Sequence, residues 1–119
     1  MQIERFQPGT RMSQATTCAG LVFLAGQVAK KREGDVQSQT REVLDTIESL
    51  LAEAGADKST ILSANIWLAD IADFRAMNEV WDAWVDRDHL PARACVEARL
   101  AFPEFRVEIA VIAAKRSPG

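Results

Sequence analysis

Two segments of the chain, 61–69 and 106–114, are apolar on both sides of a strand. In the first, Leu62, Ile66 and Leu68 lie on one face and Ile61 and Trp67 on the other. In the second, Val107, Ile109 and Val111 line one face, while Ala110, Ile112 and Ala114 line the other together with Glu108. Successive strand residues point to opposite sides, so a sheet built on these segments has two faces to bury. The rest of the chain offers only two amphipathic helices, enough to cover one of them. Self-association through the second face is the economical way to bury it, and an oligomer is expected.

The first helix rests on a stripe of Val43, Leu44, Ile47, Leu50, Leu51 and Ala54, with Arg41, Glu42, Asp45, Glu48 and Glu53 covering the remainder. Ser38 is the expected cap and Gly55 the expected stop. The second helix opens near Asp73 as N-cap, carries Phe74, Met77, Trp81, Trp84 and Val85 inward, and breaks at His89-Leu90-Pro91. Further strands read over 3–6, 13–19, 21–27 and 92–100, the last two segments of the chain being joined around Pro103. The order β-β-β-α-β-α-β-β describes an α+β fold, one sheet with two helices on one face. At 119 residues, with no internal repeat or linker, residues 1–119 form a single domain.

Several function classes are disfavoured from composition. The net charge is −3 and the 14 basic residues are scattered apart from Lys30-Lys-Arg32, so there is no electrostatic footprint for nucleic acid or an anionic membrane. No apolar run reaches transmembrane length and no secretory pattern opens the chain, while Cys18 and Cys95 are its only cysteines. That combination predicts a reduced, cytoplasmic protein without a disulfide scaffold. With His89 the single histidine, no zinc-ligand spacing exists, and no metal is expected. Phosphate-binding glycine loops, dinucleotide fingerprints and serine-hydrolase elbows are absent as well.

Pro91-Ala-Arg-Ala-Cys95 carries the functional reading. On a strand, Arg93 and Cys95 share a face. A guanidinium in a segment that otherwise reads as sheet suits capture of a small carboxylate, and the flanking alanines leave room for one. A solvated arginine or a structural ion pair is the plainer alternative, with Glu108 as the natural partner. A simple hairpin turning near Pro103 pairs Glu108 with about residue 98 and leaves Arg93 roughly 17 Å further along. In that register the two meet only across a subunit interface, or act separately. Asn78, beside Phe74 and Trp81 on the second helix, is either a buried structural amide or a ligand contact. Cys95 has no adjacent base and is not read as a nucleophile. Gly26, in Ala25-Gly-Gln27, permits close backbone approach at a strand end.

Taken in order, Ser13-Gln-Ala15, Leu24-Ala-Gly-Gln27, Asp73-Phe74 with Asn78, Pro91-Ala-Arg-Ala-Cys95 and Val107-Glu-Ile109 resemble the RidA/YjgF family of reactive imine and enamine deaminases. Asp73-Phe-Arg-Ala-Met-Asn78 with Trp81-Asp-Ala-Trp-Val85 is most similar to its YoaB-like branch. The resemblance implies a chorismate-mutase-like α+β fold and a homotrimer with three intersubunit clefts. It implies hydrolysis of 2-imino acids to 2-oxo acids and ammonia, without cofactor. Carried over, Arg93 holds the substrate carboxylate, Glu108 and the backbone near Cys95 position the attacking water, Gly26 offers backbone contacts and Asn78 supports the cleft. Many active members carry tyrosine at the position of Met12 and serine at that of Ala25, so these two residues make the expected pocket more apolar. A non-catalytic trimeric binder of small carboxylates, using the same arginine, is the alternative reading.

Overall fold

The computed structural model describes residues 2–116. Six strands, β1 (Glu4–Phe6), β2 (Ala15–Cys18), β3 (Leu21–Leu24), β4 (Ile61–Leu68), β5 (Ala92–Glu97) and β6 (Val107–Ala114), form one mixed sheet. Helices α1 (Val36–Glu53) and α2 (Phe74–Trp84) complete the α+β domain. The sheet order is β1-β2-β3-β6-β4-β5, with β4 and β5 parallel and every other neighbouring pair antiparallel.

Helix α1 buries the expected stripe: Val43, Leu44, Ile47, Leu50 and Leu51 are all core residues. Each such side chain contributes about 1.5–3 kcal/mol of burial. Its start differs from expectation. Asp35 is the N-cap, its carboxylate accepting the Ser38 N–H at 2.8 Å, and Ser38 lies within the first turn. The carboxylate outcompetes the hydroxyl because it meets the positive end of the helix dipole. Gly55, at φ 88°, ends the helix as expected.

The α2 expectations hold in part. Met77, Trp81 and Val85 are buried, with Val80 beside them, but Phe74 is 41% exposed and Trp84 only half-buried. A 3-10 turn over Ile71–Asp73, capped by Asp70, precedes the helix, and Asp73 makes no side-chain cap bond. Strand β4 also departs from simple alternation. A bulge between Ile61 and Ser63 turns Ile61 to the core with Ala64, Ile66 and Leu68, and leaves Leu62 exposed.

The largest correction concerns β5 and β6, which are not a hairpin. Helix α2 makes a crossover that returns β5 parallel to β4, and β6 then pairs on β4's other side. Glu108 stands opposite Trp67, which stands opposite Val96; Arg93 stands opposite Ala64, which stands opposite Val111. Both helices pack on the face of Ile66, Val107, Ile109 and Val111. The opposite face presents Phe23, Trp67, Val96, Ala110 and Ile112, with Phe23 and Val96 among its most exposed members. Among the described residues of one chain nothing covers it, as the doubly apolar strands led one to expect.

One buried polar residue ties the frame together. Gln39 is 1% exposed; its amide donates to the carbonyls of Gly34 and Glu104, and its side-chain oxygen accepts the Arg106 N–H at 2.8 Å. It thereby fixes the loop before α1 against the loop that leads into β6.

Candidate active site

The residues singled out from sequence fall into two groups on opposite faces of the sheet. Arg93 projects from the edge strand β5 on the helix-covered face, under α2. Its guanidinium donates to Asn78 Oδ1 at 2.8 Å and lies 5.4 Å from the centre of the Trp81 ring and 5.8 Å from that of Phe74. Among the described residues it makes no ion pair, so the salt bridge offered as the plain alternative is not formed. A cavity of about 280 Å³ opens beside it, lined by Asn78, Trp81, Asp82, Arg87, Leu90 and Arg93 among others.

Cys95 shares that face, opposite Ile66, and packs against the core. Burial pushes its thiol up, outweighing the opposite pull of the nearby Arg93 charge. A protonated, half-buried thiol is a poor nucleophile. Its backbone is better placed. The Ala98 N–H donates to the Leu68 carbonyl at 2.9 Å, so even-numbered residues of β5 turn their polar backbone toward β4. By strand alternation the N–H and C=O of Arg93 and Cys95 face the free edge. The edge thus offers one guanidinium and a short row of unpaired amides.

Glu108 lies on the uncovered face, so it cannot meet Arg93 within one chain. The separation seen from sequence persists, though its cause is opposite faces and an intervening strand and not an extended hairpin. From Val96, in the Glu108 row, to Arg93 is about 10 Å along the strand, and β5 lies about 10 Å from β6 across the sheet. Burial raises the Glu108 carboxyl above its ordinary 4.5, and no cation pairs with it among the described residues. Its carboxylate folds over Gly26: a Cβ built there falls 2.1 Å from Glu108 Oε2. Gly26 is therefore required for close approach, of a side chain of the same subunit in this case.

Gly26 and Met12 line a further cavity of about 600 Å³ with Gln14, Gln27 and the Thr46 side of α1. Met12 is 55% exposed. Ala25 is half-buried, and its backbone is already used: its N–H donates to the Gln14 carbonyl at 2.9 Å and its carbonyl accepts from Gln27 Nε2 at 3.0 Å. Its side chain offers a ligand only a methyl group. Gln27, 8% exposed, also bonds to Gln14 Oε1 at 2.9 Å and bridges to Ile109, which stiffens this wall.

Sequence reasoning missed the aromatic partners of Arg93, having given Phe74 and Trp81 to the core. Phe74, Asn78 and Trp81 recur at i, i+4 and i+7, the signal of one shared helix face. His89 stands apart in the turn after α2, 3.1 Å from Asp86. No group of three or more His, Cys, Asp or Glu among the described residues could hold a metal ion. Among the described residues no helix is long and apolar enough to cross a membrane.

The profile of the family described as Endoribonuclease L-PSP matches residues 2–115. The chain belongs to this YjgF/RidA family. Among its relatives, a RutC family protein of Haemophilus influenzae is 46% identical over 114 residues, spanning 95% of this chain and 98% of the relative. The RutC family protein YoaB of Escherichia coli is 40% identical over 114 residues, spanning 96% and 99%. The crystal structure of a YjgF family member from Neisseria meningitidis matches with a TM-score of 0.96 at 49% identity, covering 99% of this chain and 98% of that one.

Proposed function

We propose that this protein hydrolyses reactive 2-imino and enamino acids to 2-oxo acids and ammonia in the cytoplasm, in clefts between the subunits of a homotrimer with a chorismate-mutase-like fold. The observation that carries this reading is the division of the site: an unneutralised arginine at a free sheet edge, and an unpaired, partly buried carboxylate on the uncovered face. Neither half is complete. An interface that covers the apolar face and brings the β5 edge of one subunit toward Met12 and Gly26 of the next completes both.

In the joined cleft Arg93 holds the substrate carboxylate, oriented by Asn78. Amides of the β5 edge near Cys95, together with the backbone at Gly26, hold the group at the imine carbon and the attacking water. Glu108, its carboxyl lifted by burial, takes a proton from water as oxygen adds to the C=N carbon and passes it to nitrogen, giving the carbinolamine. It then takes the hydroxyl proton as the C=O bond forms and delivers it to the departing nitrogen, which leaves as ammonia. The imine carbon is already electrophilic, so the work is orientation and proton placement, with no electron transfer.

Met12 and Ala25 provide no hydroxyl, which makes this cleft more apolar and favours imines with bulkier, less polar side chains. The same feature supports the rival reading, a trimeric binder of small carboxylates. The family profile's description as an endoribonuclease points to RNA, but a net charge of −3 without a basic stripe is poorly suited to phosphate backbone. The deciding experiment is ammonia release from freshly generated 2-iminopropionate, and from a bulkier analogue, by the parent and Arg93→Ala. The parent should be active and the variant should lose both turnover and 2-oxo acid binding. No rate above buffer for the parent on either substrate overturns the enzyme, and loss of binding alone in the variant identifies a binder.

A further inference from the structure

Arg93 is held in place without being neutralised. Among the described residues, the groups that reach its guanidinium are an amide oxygen, Asn78 Oδ1 at 2.8 Å, and two aromatic rings, Trp81 at 5.4 Å and Phe74 at 5.8 Å. A carboxylate would fix the side chain as well, but it would cancel the charge and compete with an incoming anion. Ring faces attract a cation through their quadrupole and leave its charge intact. Among the described residues the one acid lining the same cavity, Asp82, is matched to Arg87 at 3.8 Å.

The cradle is itself anchored. Trp81 is 5% exposed and packs at 5.6 Å on Trp84, whose indole N–H donates to Glu48 of α1 at 2.9 Å. Lys58 lies 5.3 Å over the Trp84 ring and donates to its backbone carbonyl. The floor under Arg93 is thus tied through two indoles to the neighbouring helix. Phe74 forms the outer wall, at the start of α2.

We propose that Phe74 and Trp81 are positioning residues of the carboxylate clamp, holding the Arg93 fork aimed at the cleft while preserving its full charge for the substrate. This rests on the reading of Arg93 given above. The test measures binding of 2-oxobutyrate and of its uncharged methyl ester to the intact protein, alongside steady-state deamination. Phe74→Leu removes an exposed ring at little risk to folding; Phe74→Tyr restores one. Phe74→Leu should weaken 2-oxobutyrate about threefold to fivefold and raise KM with kcat nearly unchanged, Phe74→Tyr should recover the parent values, and the ester should not respond to either. Trp81→Leu should weaken the acid about tenfold, with Trp81→Phe recovering most of the loss.

Equal weakening of acid and ester, or unchanged acid binding in Phe74→Leu, overturns the proposal, and Phe74→Leu decides alone if Trp81→Leu does not fold. Retained acid binding in Arg93→Ala sinks the clamp itself, a distinct outcome from failure of the rings.

Discussion

Replacing Gly26 by alanine should separate catalysis from stability. The new Cβ falls 2.1 Å from Glu108 Oε2, 3.0 Å from its Cδ and 3.3 Å from its Cγ. Gly26 does not sit in the left-handed region, so the backbone accepts alanine without strain. The atoms in the way are the far end of a flexible side chain, which can swing aside. To reach ordinary contact the carboxylate oxygen must retreat by about 1.3 Å, and a misplacement of that size at a reacting centre can cost about 100-fold in rate. The structural cost is a changed rotamer, about 0.5–1.5 kcal/mol. Ammonia release should therefore fall by one to two orders of magnitude, about 10- to 100-fold, while the thermal midpoint moves by only a few degrees. Binding of 2-oxo acids through Arg93 should be nearly unchanged. Parent-like turnover in a folded Gly26→Ala protein would refute the placement of Glu108 beside the reacting atoms.

Two further outcomes follow from buried polar groups. A carboxyl whose folded-state value is raised subtracts stability above the unfolded value and recovers it as pH falls. Glu108→Gln should accordingly melt above the parent near pH 8, the difference closing toward about pH 4, while deamination is lost throughout; a variant that melts lower at alkaline pH contradicts the burial of that carboxylate. Gln39→Ala strands two carbonyls and one N–H inside the frame, which should cost about 3 kcal/mol in urea denaturation, and a change below about 1 kcal/mol would show that water replaces the amide.

Much of the fold was legible because periodicity speaks directly of burial. The α1 stripe and the alternation of β6 appear in the structure as read, and so does the uncovered second face. What periodicity lacks is the identity of a strand's neighbours. The pattern of β5 is compatible with a hairpin to β6, and only the parallel return through α2 places β4 between them. The bulge at Leu62 was invisible for a similar reason, since a shift of one residue changes faces without changing composition. In the candidate site, residue type singled out Arg93, Glu108 and Gly26 but could not show that the first two lie on opposite faces. The contact of Gly26 with Glu108 spans the chain from the segment after β3 to β6 and leaves no local trace. Phe74 and Trp81 looked like core because an aromatic facing a cation and an aromatic facing leucine have the same helical spacing.

The central claim, that each site draws Arg93 from one subunit and Glu108 from another, is tested most directly by mixing two inactive variants. Arg93→Ala and Glu108→Gln are unfolded together in equal amounts, refolded and assayed for ammonia release beside each variant refolded alone. In randomly assembled oligomers about one site in four receives both intact residues, so about a quarter of parental activity should return. Activity no higher than that of the separate variants would contradict a shared site.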